Sequence, residues 1–167
     1  VPNTRRGIRI LPGVKQMNPA NVMRGEETQI AGLLHESPDF GGTVCLPGTH
    51  TKWVRIADRA TTSFETCMTG EQFGFFSETS VLSHSMTLDG WSDSAFNEAV
   101  RTATRDPASI ARRLFAIRAK MLIATQTSAE ARATLSGLLI GQELMAVPHY
   151  WQGQPETLIG APTLCEI

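Results

Sequence analysis

Leu46-Pro47-Gly48-Thr49-His50-Thr51-Lys52-Trp53 is the stretch on which the fold turns. It joins a short apolar run, Thr43-Val44-Cys45-Leu46, to an alternating one, Lys52-Trp53-Val54-Arg55-Ile56. An apolar run bounded by turn residues predicts a buried strand, and period-two alternation predicts a strand with one buried face. Asp58-Arg59 can turn the chain again into Thr61-Thr62-Ser63-Phe64-Glu65-Thr66, so residues 43–66 predict a three-strand meander. The central turn carries hydroxyls, an imidazole and an amine on small residues. Gly48 lets backbone N–H groups approach an anion, Thr49 and Thr51 can donate to phosphate oxygens, and Lys52 can neutralise charge. The GxxxxGK[ST] spacing of a P-loop is absent, and a plain hairpin turn has the same composition.

Upstream, Arg24-Gly25-Glu26-Glu27-Thr28-Gln29 opens a helix whose Ile30, Leu33 and Leu34 recur at i, i+3, i+4. Two adjacent carboxylates can hold Mg²⁺ or accept a proton from an attacking hydroxyl. They equally complement the dipole of any helix start. Residues 1–22 are rich in breakers, with Ile8-Arg9-Ile10 as the end of a strand.

Downstream, Thr69-Gly70-Glu71 begins a helix expected to reach about Ser83, burying Phe73, Phe76 and Leu82. Its first turn offers a hydroxyl and open backbone donors to an anion, or is an ordinary cap. Residues 86–93 read as a loop, and Asp93 or Ser94 caps a helix over 95–104. Asp106-Pro107 starts a helix that buries Ile110, Leu114, Ile117 and Met121 and exposes Arg112, Arg113 and Lys120. Ser128 caps the next, which carries Leu135, Leu138, Leu139 and Met145 and ends before Pro148. Gly137 and Gly141, one turn apart, each cost helix stability, which close packing against a neighbour explains. Glu156-Thr157-Leu158-Ile159 is a strand entering Gly160-Ala161-Pro162, whose small residues admit a flat ring or a ribose. Meander, helices, then a lone strand predict an α/β fold with a mixed sheet covered by helices.

The 167 residues suit one domain, and 15 Lys+Arg against 16 Asp+Glu give a net charge of -1. That balance argues against a nucleic-acid binder. No apolar run approaches the ~20 residues that span a bilayer. Three widely spaced cysteines, Cys45, Cys67 and Cys165, without a CxxC read as reduced thiols of a cytoplasmic protein rather than a zinc site. The chain begins at Val1 and stops at Ile167, soon after a turn where a further element is expected, so it reads as truncated.

Several segments, in one order, carry a resemblance. They are Ile10-Leu11-Pro12-Gly13-Val14, Val22-Met23-Arg24-Gly25-Glu26-Glu27-Thr28-Gln29-Ile30 and Leu46-Pro47-Gly48-Thr49-His50-Thr51-Lys52-Trp53-Val54. Phe64, Thr66, Met68-Thr69-Gly70-Glu71 and His84-Ser85 follow. Leu135-Ser136-Gly137-Leu138-Leu139-Ile140-Gly141 and Leu158-Ile159-Gly160-Ala161-Pro162 close the series. Together they resemble the 2-dehydro-3-deoxygalactonokinase family, of the sugar-kinase, actin and chaperone-ATPase superfamily.

The resemblance implies a ribonuclease H-like lobe, one of two that close on ATP, Mg²⁺ and a sugar acid. The γ-phosphoryl of ATP would pass to the 6-hydroxyl of 2-dehydro-3-deoxy-D-galactonate. Residues 1–22 would be a linker from a missing first lobe. Residues 23–167 would be the second, nucleotide-side lobe, incomplete at its C-terminus. Gly48, Thr49, His50, Thr51 and Lys52 would meet the phosphates, with Thr69 and Gly70, while Gly160 and Ala161 lie by the adenosine. Arg24, Glu26 and Glu27 would be catalytic, with Glu26 or Glu27 orienting the nucleophile or the metal ion. Leu46-Pro47 stands where many members of the superfamily carry an acid, and the first-lobe phosphate hairpin is absent. A phosphohydrolase of the same superfamily, and a non-catalytic lobe that dimerises or binds a partner, are the competing expectations.

Overall fold

A computed structural model of the chain describes residues 10–86 and 90–165. The expected meander is present as β3 (Gly42–Leu46), β4 (Thr51–Ala57) and β5 (Ala60–Cys67), after a hairpin of β1 (Val14–Met17) and β2 (Ala20–Met23) and helix α1 (Glu26–Glu36). Helices α2 (Thr69–Gly74), α3 (Asp93–Arg105), α4 (Ile110–Leu122), α5 (Ser128–Ala146) and α6 (Pro148–Trp151) follow, then β6 (Glu156–Leu158) and α7 (Pro162–Cys165). The main sheet runs β5-β4-β3-β6. The meander pairs are antiparallel and β6 lies parallel to β3, which makes the sheet mixed.

Strand alternation sorts the sheet onto two cores. Val44, Leu46, Val54, Ile56 and Phe64 face Met23 and Ile30 on the side of α1. Cys45 and Trp53 face Val147 and Tyr150 at the end of α5 and in α6. Every residue of β3 is buried, as expected of a strand covered on both faces. A third core lies among the helices, where Ala103, Ile117, Ala131 and Leu135 are sealed from solvent. Full burial of a side chain the size of Ile117 or Leu135 contributes about 1.5–3 kcal/mol. Gly137 and Gly141 let α5 lie directly on α3. A Cβ on Gly137 would stand 2.4 Å from Phe96 O, and one on Gly141 2.7 Å from Ala103 Cβ.

Several elements differ from the sequence reading. Residues 14–22, within the segment 1–22 read as breaker-rich linker, form the β1–β2 hairpin together with Met23. It is tied to β5 by side chains in place of a ladder. The Gln16 amide accepts from Phe64 N at 3.0 Å and donates to Phe64 O at 3.2 Å, and Thr66 Oγ1 donates to Asn21 Oδ1 at 2.6 Å. Of the expected strand end before it, Ile8 and Arg9 lie outside the described residues, and Ile10 is not in a strand.

The single helix expected from Thr69 to Ser83 is broken. A π turn (Phe75–Thr79) follows α2, and a 3₁₀ turn (Val81–Ser85) begins after Ser80 leaves the helical region and caps Leu82 N with its own hydroxyl. Ser92, not Asp93 or Ser94, caps α3. Thr127, not Ser128, caps α5, in a capping box with Glu130. Arg113 is half buried rather than exposed, its Nε donating to Ser109 Oγ at 2.6 Å.

Candidate active site

Because β3 and β6 run parallel, their carboxyl ends open on the same side of the sheet. In α/β sheets that is where ligands bind, since the chain leaves both strands there and a crevice remains between the departing loops. Three segments meet at this end around a cleft of about 330 Å³. Pro47, Gly48, Thr49 and His50 supply the hairpin loop between β3 and β4. Glu26 and Gln29 supply the first turn of α1, and Ile159, Gly160 and Ala161 the turn leaving β6. Ile159 N donates to Cys45 O at 2.9 Å, which carries the strand pairing up to the cleft.

The loop is braced from behind by α2. Glu71 N donates to Thr49 O at 2.9 Å. A Cβ on Gly70 would stand 2.2 Å from Gly48 O, so only glycine lets α2 come this close. His50 Nε2 lies 2.5 Å from Glu71 Oε2, with both side chains about half exposed. In front of Gly48 the cleft is open: a Cβ there would meet nothing within 4 Å. Thr49 is exposed, and its hydroxyl has no partner among the described residues.

The structure therefore brings Glu26, Gly48, Thr49, His50, Gly160 and Ala161 into one cleft, and leaves the other candidates outside it. Lys52 is only 5 % exposed and points to the α1 side of the sheet, with Val54 and Ile56. Its ammonium donates to Val22 O and to Thr66 Oγ1, each at 2.8 Å, so it ties β4 to the hairpin and to β5. Thr51 is buried on the opposite face of β4. Thr69 and Gly70 stand behind the loop rather than in the cleft. Arg24 is exposed beyond the cleft wall.

The two glutamates divide. Glu27 Oε2 accepts from Gly25 N at 2.6 Å and caps the helix start outside the cleft wall. Glu26 Oε2 accepts from Arg24 N at 3.0 Å while its side chain lines the cleft. Glu27 thus satisfies the free donor of the N-cap residue, while Glu26 ties down the residue before the cap, and both acids complement the helix dipole. Gln29, which the sequence reading passed over, joins Glu26 by the i,i+3 rule that puts both on one helix face. Among the described residues no group of three or more His, Cys, Asp or Glu is placed to hold a metal ion.

The family model for 2-keto-3-deoxy-galactonokinase matches residues 1–167. The chain belongs to the 2-keto-3-deoxy-galactonokinase family. A probable 2-dehydro-3-deoxygalactonokinase of Rhizobium meliloti is 42% identical over 149 residues, which are 86% of this chain and 49% of that protein. The 2-dehydro-3-deoxygalactonokinase of Escherichia coli is 34% identical over 143 residues, 84% of this chain and 48% of that protein. The chain thus spans about half the length of the curated relatives it matches. The crystal structure of a presumed 2-dehydro-3-deoxygalactonokinase from Sinorhizobium meliloti superposes with a TM-score of 0.87 at 39% identity, covering 98% of this chain and 56% of that one. Within the described part of this 2-keto-3-deoxy-galactonokinase chain, no helix is long and apolar enough to cross a membrane.

Proposed function

We propose that the chain is the nucleotide-side lobe of an ATP-dependent sugar-acid kinase. That kinase moves the γ-phosphoryl group to the 6-hydroxyl of 2-dehydro-3-deoxy-D-galactonate. The observation that carries the reading is the cleft at the carboxyl ends of β3 and β6, with an open glycine loop on one wall and small residues on the other. The family membership and the names of the relatives support the sugar acid and the reaction.

In this reading Gly48, Thr49 and His50 meet the phosphates, through backbone N–H, hydroxyl and imidazole donors. Gly160 and Ala161 leave room for the adenosine. Glu26 is the carboxylate on the cleft side, and one of its oxygens has no partner among the described residues. One carboxylate without further acidic ligands fits Mg²⁺ that arrives held by phosphates, and does not fit a dedicated protein cage. Bound there, Mg²⁺ would neutralise phosphate charge. Phosphoryl transfer needs mainly positioning and electrostatic stabilisation, which the loop supplies by holding donors in place before substrate arrives. The remaining donors to ATP, and most contacts to the sugar acid, belong to a partner lobe across the cleft.

The test is an assay of the intact gene product with ATP and 2-dehydro-3-deoxygalactonate, following both ADP and the phosphorylated acid. Stoichiometric sugar-acid phosphate is expected. Phosphate released to water instead would move the assignment to a phosphohydrolase. Failure to bind ATP at all would leave a non-catalytic lobe.

A further inference from the structure

The loop that faces the cleft makes two bonds to a single residue outside it. Glu71 reaches Thr49 through its main chain and His50 through its side chain. The first bond, with the close approach of Gly70 to Gly48, fixes the loop backbone. The second does something different. A carboxylate only accepts hydrogen bonds, so the ring nitrogen 2.5 Å from it must be the one that carries a proton. That nitrogen is Nε2, and the nitrogen left over is Nδ1. His50 lines the cleft, whereas Glu71 does not.

We infer that Glu71 is a positioning residue that fixes the aim of His50, holding the ring through Nε2–H and leaving Nδ1 as the ring nitrogen that meets a phosphate oxygen in the cleft. This rests on the nucleotide reading above. The carboxylate holds Nε2–H, and a phosphate oxygen on the other side is met when Nδ1 also carries a proton, so that the imidazolium bridges the two anions. Outer partners of this kind set the orientation of the ring they hold. The Thr69-Gly70-Glu71 turn then serves the site from behind, by bracing a loop and turning a ring, with no direct contact to the anion.

The test is ATP affinity and KM for the intact gene product, for wild type, Glu71→Ala, His50→Ala and the double variant. Glu71→Ala is expected to weaken ATP binding by about 2–5-fold, as suits an ion pair with both partners half exposed, with KM for the sugar acid unchanged. In the His50→Ala background the same substitution is expected to add nothing, because Glu71 acts through the ring. An unchanged ATP affinity in Glu71→Ala would overturn the inference and leave the nucleotide reading standing. So would an equal further loss in the His50→Ala background, which would mark a purely structural role. A wild-type protein that binds no ATP would remove both together. Should Glu71→Ala fail to fold, imidazole ¹⁵N spectra of the wild type decide. A protonated Nε2 with an Nδ1 signal that moves on adding ATP supports the inference. An Nδ1 signal indifferent to ATP overturns it.

Discussion

Glu143 Oε1 accepts from Trp53 Nε1 at 2.7 Å and so joins the last turns of α5 to the middle of β4. Glu143 is 8 % exposed, and its second oxygen is buried without a partner among the described residues. Replacing Glu143 with Ala would strand the indole N–H in the core, a loss of about 1–3 kcal/mol. Glu143→Gln keeps an acceptor for the indole and is expected to lose less. Urea unfolding of the two variants tests this, and equal losses would show that the Trp53 bond is not what matters.

The contact of α5 with α3 sets two effects in opposition. Ala in place of Gly137 or Gly141 gains about 1 kcal/mol of helix propensity. It also drives a methyl group to 2.4 Å from Phe96 O or 2.7 Å from Ala103 Cβ, and overpacking typically costs about 1–3 kcal/mol. The backbone carbonyl of Phe96 cannot rotate away as a flexible side chain would. Both variants are therefore expected to melt lower than wild type, Gly137→Ala the more so, by thermal unfolding. A higher melting temperature would mean that the helices separate at little cost.

Lys52 carries a prediction about structure. Its ammonium ties β4 to the hairpin at Val22 O and to Thr66 on β5. Hydrogen bonds from a charged donor contribute about 1.5–3 kcal/mol, so Lys52→Met is expected to lower stability by roughly that amount. Amide exchange should quicken first in the β1–β2 hairpin. Unaltered exchange across residues 14–23 would show that Gln16 and Asn21 hold the hairpin unaided.

The meander was legible because β3 and β4 announce themselves locally, as short apolar and β-branched runs between turns, although β4 is buried on both faces and not on the single face that alternation predicts. The helix start at Glu26 and the strand at Glu156–Leu158 were legible for the same reason. The side on which Lys52 points was not read from the loop motif, although period two already placed it with Val54 and Ile56 rather than with the loop. The π and 3₁₀ turns after Gly74 were hidden by Phe73 and Phe76, which keep the i, i+3 spacing of one helix face, while Leu82 falls on the opposite side and the break itself comes from the Ser80 backbone. The brace behind the loop was hidden too. Glu71 was visible as a first-turn acid, but its partner His50 lies in another element and meets it only in three dimensions.

Alkaline pH should weaken the fold. Burial, with Glu143 and Glu65 nearby, pushes the Cys67 thiol from its ordinary 9.0 up to about 12. Burial moves Cys45 and Tyr150 in the same direction. The folded state then keeps protons that the unfolded chain releases. Above about pH 9 the unfolded state binds fewer protons, so stability falls as pH rises from there toward 12. Urea midpoints taken from pH 8 to 10.5 are expected to decline, with a shallower slope in Cys67→Ala. At pH 8 both thiols should react slowly with iodoacetamide until urea is added, because the thiolate is the nucleophile. A flat midpoint over this range would contradict the prediction.

The parallel pairing of β6 on β3 has a kinetic side. One wall of the cleft forms early in the sequence, from α1 and the hairpin loop, and the other arrives only when the chain returns after α6. That closure is non-local and follows the slow, entropically costly search that such contacts require. A molecule that needs both walls recognises only chains in which β6 has docked. Its binding would stabilise the completed fold by mass action and leave partly folded chains untouched, so occupancy of the cleft would double as a checkpoint on folding.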